Sequence, residues 1–171
     1  MTHEYHATVE WQRQGTAFVD GRYSRGHVWR FDGGVEVPAS SAPSSVPLPY
    51  SVAAAVDPEE AFVAAVSSCH MLFLLPFAAK QGFVIDRYSD EAVGSMSRNE
   101  RDKLYVSKIV LNPNVTFCGG KQPTEHEFDA LHHRAHEECY VANSVKAEII
   151  VRPRRLHQLE GAQDKVASLH H

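Results

Sequence analysis

The sequence lacks the features that mark small secreted proteins or nucleic-acid-binding proteins. Its 171 residues include three cysteines, too few for the disulfide framework of a small secreted domain. Seventeen basic residues stand against 21 acidic ones, and this balance argues against a broad basic face for nucleic acid. Hydrophobic residues make up 43% and charged residues 22%, as in an ordinary globular protein. We therefore expect one globular domain that does not bind nucleic acid.

Long apolar runs and targeting signals are also missing. The longest apolar stretch, Met71–Ala79, has roughly half the length that a membrane span requires. The first residues, Met1–His6, lack the basic and apolar regions of a signal peptide. We expect a cytoplasmic protein with no membrane partner.

The order of the hydrophobic patterns predicts an α+β fold, with strands, a helix, more strands, a second helix and a last strand. Alternation over residues 7–13 predicts a half-buried strand, and a second strand region extends to about Val37. Four prolines within residues 38–56 predict an extended loop, of a length typical of lids and binding segments.

Further strands follow the first helix. Residues 91–96 and 103–117 alternate as an antiparallel pair. The longer of the two presents one apolar face, made of Ile109, Leu111, Val115 and Phe117. Residues 145–151 alternate as the last strand, and the composition beyond it is polar. We therefore assign one domain to residues 1–153 and a peripheral tail to residues 154–171.

The first helix has a strong start signal and an unusual surface. Asp57 can cap the free amides, and Pro58 suits the first helical position. Residues 61–79 are apolar on every side, which is typical of a helix buried all round, although Pro76 should kink or interrupt it. A chain of this size can cover such a helix only with a surrounding sheet or a second copy. We expect a homodimer.

Two helices each carry a cysteine. Cys69 lies about three turns into the first helix. The second helix opens with a capping-box pattern from Thr124 to Glu127, and its apolar stripe ends at Cys139. Each cysteine alone is ordinary core filling, but both helices are directed at one core. If the two sulfurs lie within reach, oxidation can join them, whereas Cys118 has no such partner.

Other functions fit parts of this pattern. His132, His136 and Cys139 share one side of the second helix and could ligate zinc, although a histidine-rich polar helix face is the plainer interpretation. A non-catalytic thiol protein, or a carrier that binds a small ligand, could use the same apolar pocket.

A thiol that reduces peroxides has definite requirements. The sulfur must be ionised to attack, so a positive group has to lower its pKa. The first product is a sulfenic acid, and a second thiol must condense with it before over-oxidation. Such a site needs a thiolate, an arginine held by a carboxylate, and a resolving cysteine.

Two longer motifs are more specific than any single residue. The first places Cys69 ten residues after Glu59 and begins Asp57-Pro58-Glu59-Glu60-Ala61-Phe62. The second is Ala135-His136-Glu137-Glu138-Cys139-Tyr140-Val141-Ala142-Asn143-Ser144-Val145-Lys146. Together they resemble the motifs of the OsmC/Ohr family (osmotically inducible protein C and organic hydroperoxide resistance protein), and the resemblance covers roughly residues 5–153.

This resemblance implies antiparallel sheets wrapped around two central helices in an intertwined homodimer. It implies a cysteine peroxidase for organic hydroperoxides, with Cys69 as the peroxidatic residue, Cys139 as the resolving residue and Glu59 as the carboxylate that orients an arginine. We expect no bound cofactor or metal. An external thiol would reduce the disulfide, and the Ohr branch implies a dithiol such as dihydrolipoamide.

The sequence departs from the family pattern at the arginine. Residues 38–58 contain none, so the candidates are Arg22, Arg25 and Arg30. We select Arg25 because its glycine-flanked turn resembles the family's early-loop version; the alternative is a solvated surface arginine. Tyr140 also stands after the second cysteine, where proline is common.

The spacing of Glu59 and Cys69 constrains any shared site. Ten residues span roughly 15 Å along an intact helix. The two side chains can therefore serve one site only through an arginine on a loop or through a second subunit.

Overall fold

Nine strands and three helices follow one another along residues 2–156, the part of the chain that the computed structural model describes. The elements are β1 (Ala7–Glu10), β2 (His27–Phe31), β3 (Glu36–Ala39), α1 (Pro58–Lys80), β4 (Val84–Asp90), β5 (Val93–Arg98), β6 (Leu104–Leu111), β7 (Pro113–Cys118), α2 (Glu125–Glu138), α3 (Tyr140–Asn143), β8 (Glu148–Val151) and β9 (Arg154–Leu156). The chain divides into two compact units, one up to Phe62 and one from Val63 onward. This composition of elements confirms the predicted α+β class.

The first unit is built on a three-stranded antiparallel sheet in the order β1-β2-β3. After β3 the chain runs without helix or strand to α1, which confirms the predicted loop except at its first two residues, Pro38 and Ala39, which belong to β3. The loop returns to the sheet, since Ala39 bridges Val56 and Ser40 Oγ accepts a hydrogen bond from the Val52 amide at 2.9 Å. The prediction of a half-buried first strand is wrong for the single chain: every residue of β1 is exposed, because no second layer covers it within this unit.

The second unit contains two three-stranded sheets, in the orders β4-β7-β9 and β5-β6-β8. In each sheet one pair is antiparallel, and the last strand joins parallel to its neighbour. The sequence predicted one strand over residues 103–117, but the chain changes sheet at Asn112. The Asn112 amide donates to Asp90 Oδ1 at 2.6 Å, and Pro113 has no amide hydrogen to continue the ladder. The predicted apolar face is nevertheless buried.

Two strands were not predicted. The polar sequence of β4 hid its pairing with β7, and β9 occupies the start of the predicted tail. Residues 157–171, the rest of that tail, lie outside the described residues.

Helix α1 begins as predicted. The Glu60 amide donates to Asp57 Oδ1 at 2.8 Å, and the Asp57 amide donates to the Glu60 carboxylate at 3.3 Å. The helix then runs unbroken to Lys80, so the prediction that Pro76 interrupts it is wrong. Pro76 removes one amide from the exposed side of the helix, where water can bind the carbonyl left without a partner.

Within this chain α1 is buried along one stripe only. Its buried residues are Val66, His70, Leu74, Phe77 and Ala78. The expected burial all round is therefore not reached, and Leu72, for example, is 61% exposed. The buried stripe contributes Leu74, Phe77 and Ala78 to a core that also includes Val115, Phe117, Phe128, Leu131 and Ala135.

By length and composition alone, α1 would qualify as a membrane span, as the core helices of many globular proteins also do. The hydrogen bonds of its polar side chains show that this helix packs against other parts of the protein. Ser67 donates to Asp90 at 2.5 Å, and His70 is hydrogen-bonded to His132 of α2.

Candidate active site

The two cysteines predicted to react with one another lie next to each other in the second unit. Cys69 of α1 is half-buried, Cys139 at the end of α2 is 1% exposed, and both are free. Burial raises the pKa of the Cys139 thiol to about 11, and its interaction with the Cys69 side chain adds to that rise. The structure thus pairs an accessible thiol with a buried thiol that stays protonated at neutral pH.

Local geometry holds Cys139 at a junction between helices. Its amide donates to the His136 carbonyl at 3.3 Å, which ends α2, and its sulfur accepts a hydrogen bond from the Ala142 amide at 3.4 Å, which starts α3. The next residue, Tyr140, is 71% exposed and packs edge-on against Phe73 of α1, with ring centroids 4.9 Å apart. The side chain that departs from the family pattern therefore contacts the helix that carries the other cysteine.

Two buried histidines lie on the same pair of helices. His70 Nε2 and His132 Nδ1 share a hydrogen bond at 3.0 Å, and the rings stack with centroids 5.3 Å apart. Burial lowers the pKa of His70 to about 4 and that of His132 to about 3, so both rings are neutral at physiological pH. Sequence analysis missed this pair, because a single histidine in an apolar run gives no sign of its partner.

The structure does not assemble the predicted zinc ligands. His132 is bonded to His70, and the Cys139 sulfur faces the Ala142 amide. Among the described residues, no group of three or more His, Cys, Asp or Glu side chains could hold a metal ion. The structure therefore gives no support to the zinc interpretation of His132, His136 and Cys139 within the described residues. Cys118 ends β7 and is also free.

The other two predicted site residues, Arg25 and Glu59, belong to the first unit and line one cavity of about 490 Å³. The Arg25 guanidinium stacks 3.9 Å from the centre of the Tyr23 ring and donates to the carbonyls of Gly21 and Tyr23 at 2.6 and 2.5 Å. Within residues 2–156 it forms no ion pair with Glu59, so the predicted contact is not made.

The alternative arginines have different surroundings. Arg30 bonds to Glu10 and Glu36 on the neighbouring strands, and Arg22 is exposed. Neither of them lines the cavity that Arg25 lines. Of the three candidates, Arg25 is therefore the one that lines this cavity.

The walls of this cavity are mainly apolar. Trp11, Phe18 and Tyr23 contact one another, with ring centroids 4.7 to 5.9 Å apart. The proline-rich loop contributes Ser41, Ala42 and Ser45. The three aromatic residues in a polar strand-and-turn region were the available sequence signal for this cavity, and the sequence analysis did not use it.

Residues 51–154 match the sequence model of a family described as OsmC-like protein. The chain belongs to this family. The matched residues include Glu59, Cys69 and Cys139 but not Arg25. None of the curated proteins compared with the chain matches it.

Solved structures of OsmC-like proteins show the same fold. An OsmC-like protein of unknown function from Vibrio cholerae is 49% identical, with a TM-score of 0.88 over 90% of this chain and 100% of the other. Organic hydroperoxide resistance proteins from Elizabethkingia anophelis and Bacillus subtilis are 18% and 19% identical, with TM-scores of 0.65 and 0.55. They cover 92% and 90% of this chain, and 98% of each of them is covered. At these lower identities the likeness supports the fold alone.

Proposed function

We propose that this OsmC-like protein is a thiol peroxidase that reduces organic hydroperoxides, with Cys69 as the peroxidatic residue and Cys139 as the resolving residue. The observation that carries the proposal is the pair of neighbouring free thiols contributed by α1 and α2. Two solved proteins of the same fold are named organic hydroperoxide resistance proteins, and the substrate class of this proposal is taken from those names and from the resemblance of the two sequence motifs.

The two thiols differ in the way that this chemistry requires. A raised pKa makes Cys139 a poor first nucleophile at neutral pH, whereas the more exposed Cys69 is open to a substrate. The Cys69 thiolate attacks the terminal, hydrogen-bearing peroxide oxygen, the O–O bond breaks, and the alkoxide leaves as an alcohol after taking a proton. The Cys139 thiol then condenses with the sulfenic acid, which releases water and forms the disulfide. An external dithiol reduces the disulfide and is itself oxidised.

In this proposal Arg25 supplies the positive charge that favours the Cys69 thiolate, and Glu59 is the carboxylate that lines the same cavity. Arg25 is supported over the two other arginines because it lines a cavity with aromatic walls, which suit the apolar part of an organic hydroperoxide better than they suit hydrogen peroxide. The same cavity keeps the alternative of a non-catalytic ligand carrier open to test.

We further propose that the working unit is a cytoplasmic homodimer. A single chain leaves large apolar side chains exposed on α1 and on the sheets, including Leu72 at 61%, Val9 at 66% and Met96 at 50%. Burial of such surface favours association because it removes apolar area from water.

A coupled assay tests the function directly. Purified protein is mixed with an alkyl hydroperoxide or with hydrogen peroxide, and reductants are compared: dihydrolipoamide, glutathione and no thiol. We expect dithiol-dependent consumption of the alkyl hydroperoxide that exceeds that of hydrogen peroxide. Binding of an apolar ligand to a protein that consumes neither peroxide would instead support the carrier function.

A further inference from the structure

The hydrogen bond between His70 and His132 connects the two helices that carry the cysteines. His70 is 1% exposed and His132 is 2% exposed, so the contact is dry. Phe128 packs edge-on against the His132 ring, with centroids 4.7 Å apart, and restricts how that ring can turn. The orientation of the His132 ring is therefore restricted both by its hydrogen bond to His70 and by its packing against Phe128.

Filling the core with this contact costs free energy. Each imidazole has a second ring nitrogen, His70 Nδ1 and His132 Nε2, and both are buried without a hydrogen-bond partner in the described part of the chain. Burying an unpaired polar atom costs free energy, and apolar side chains of similar volume would avoid that cost. The best-attested use of such polar contacts is to specify register, which apolar packing does less sharply.

The histidine pair lies close in sequence to the two cysteines, so the register of the two helices also sets the relative position of the two thiols. His70 directly follows Cys69 on α1, and His132 lies seven residues, about two turns, before Cys139. A disulfide tolerates only a narrow range of separations between its residues, and a slip of one residue along a helix moves a side chain by about 1.5 Å and 100°. Hydrophobic contacts are not directional, but a hydrogen bond between two rings is.

We propose that His70 and His132 are positioning residues, whose hydrogen bond sets the register of α1 against α2 and so holds the Cys69 and Cys139 thiols where they form a disulfide. The inference deepens the proposed function and rests on it for its role in turnover. The contact itself can be tested without peroxide, by bringing the two thiols to equilibrium with an added dithiol.

The test is an equilibrium between the protein and dithiothreitol. Oxidised dithiothreitol takes two hydrogen atoms from the protein dithiol, which yields the protein disulfide and reduced dithiothreitol. The fraction of Cys69–Cys139 disulfide is measured by acid quenching, thiol alkylation and mass spectrometry across ratios of the two dithiothreitol forms, at pH 7. Unfolding in urea is measured in parallel on the reduced proteins.

Four variants separate register from stability. The double variant His70→Leu with His132→Leu removes the hydrogen bond but keeps the volume. His132→Asn keeps an amide nitrogen near the place of Nδ1, whereas His132→Gln places it near Nε2 and leaves His70 without its partner. His133→Gln is the matched control, because His133 is an exposed histidine of the same helix.

We expect the double leucine variant to lower the equilibrium constant for disulfide formation about tenfold, equivalent to about 30 mV, without loss of stability in urea. His132→Asn should stay near the wild-type constant, His132→Gln should fall with the leucine variant, and His133→Gln should not change it. Wild-type constants for both the leucine and the Gln variants would overturn the proposal. If the leucine variant does not fold, equal constants for His132→Asn and His132→Gln overturn it.

The two proposals can fail independently. A protein that consumes no hydroperoxide, yet shows these changes in the dithiol equilibrium, would remove the proposed function and leave the positioning role in place. A protein that consumes hydroperoxide, but whose disulfide equilibrium is the same in the wild type and the histidine variants, would remove the positioning role and leave the proposed function in place.

Discussion

The two units of this chain carry different chemistry on different kinds of structure. In the first unit, a loop places Arg25 and the first turn of α1 places Glu59 beside an aromatic cavity. In the second, two helices bring together a pair of thiols and, separately, a buried pair of imidazoles. An apolar organic group can be accepted by adaptable walls, whereas two sulfurs that must bond to each other need rigid elements. Substitutions in the second unit should therefore abolish a step of the sulfur chemistry, whereas substitutions in the first unit should only lower the rate of the first oxidation.

The largest effect should come from Cys69. Replacing it by serine, Cys69→Ser, should reduce hydroperoxide consumption by about 1000-fold or more, because a hydroxyl is not ionised at neutral pH and does not form a sulfenic acid. Circular dichroism should be unchanged. Cys118→Ser is the matched control and should retain wild-type turnover. Unchanged turnover in Cys69→Ser would move the protein to the carrier class.

Cys139→Ser should separate attack from recycling. The first turnover should proceed, because Cys69 is intact, but no disulfide can follow. Mass spectrometry after excess hydroperoxide should show one or two oxygens added at Cys69, as sulfenic or sulfinic acid. Continued dithiol-dependent turnover in this variant would show that Cys139 is not the resolving residue.

A graded effect should come from the first unit. Arg25→Gln removes a positive charge but keeps a polar side chain, and we expect it to slow the first oxidation roughly tenfold to 100-fold, because a nearby positive charge favours the reactive thiolate. The pH profile of Cys69 alkylation should move to higher pH in the same variant. Arg22→Gln, at an exposed arginine of the same region, is the control. A wild-type profile for Arg25→Gln would assign the charge to another residue.

The effect that is smallest at neutral pH concerns stability. The folded-state pKa values of His70 and His132, about 4 and 3, lie below the ordinary value of 6.5, so the unfolded chain binds more protons between these limits. Stability is therefore highest well above pH 6.5 and falls as the pH drops toward 4, by on the order of 2 kcal/mol for each of the two rings at pH 5. Urea unfolding at pH 7 and pH 5 measures the loss. The double leucine variant should lose less stability between pH 7 and pH 5. An equal loss in the wild type and the variant would contradict the assignment of this pH dependence to the histidine pair.

Regular patterns made the second unit predictable. The capping signals at Asp57 and Thr124 start α1 and α2 in the structure, and helical spacing places Cys69 and Cys139 toward one core. The histidine pair escaped prediction because its energy depends on a partner 62 residues away, which no local pattern encodes. The strand β4 escaped because its sequence is polar while its backbone pairs with β7.

The first unit was less predictable for a related reason. Arg25 could be chosen from its turn, but its actual partners are two carbonyls and the Tyr23 ring instead of Glu59. Turns and loops place side chains through contacts that are distant in sequence, so hydrophobic periodicity carries little information about them. The cavity therefore emerged only with the structure.

The proposed mechanism depends most directly on which two cysteines form the disulfide. One equivalent of an alkyl hydroperoxide is added to the reduced protein, the reaction is quenched with acid, and the digested protein is mapped by mass spectrometry. We predict a single linked peptide pair containing Cys69 and Cys139, with loss of two hydrogen atoms and an unmodified Cys118. A disulfide between Cys69 and Cys118, or three free thiols after the hydroperoxide has been consumed, would contradict the account.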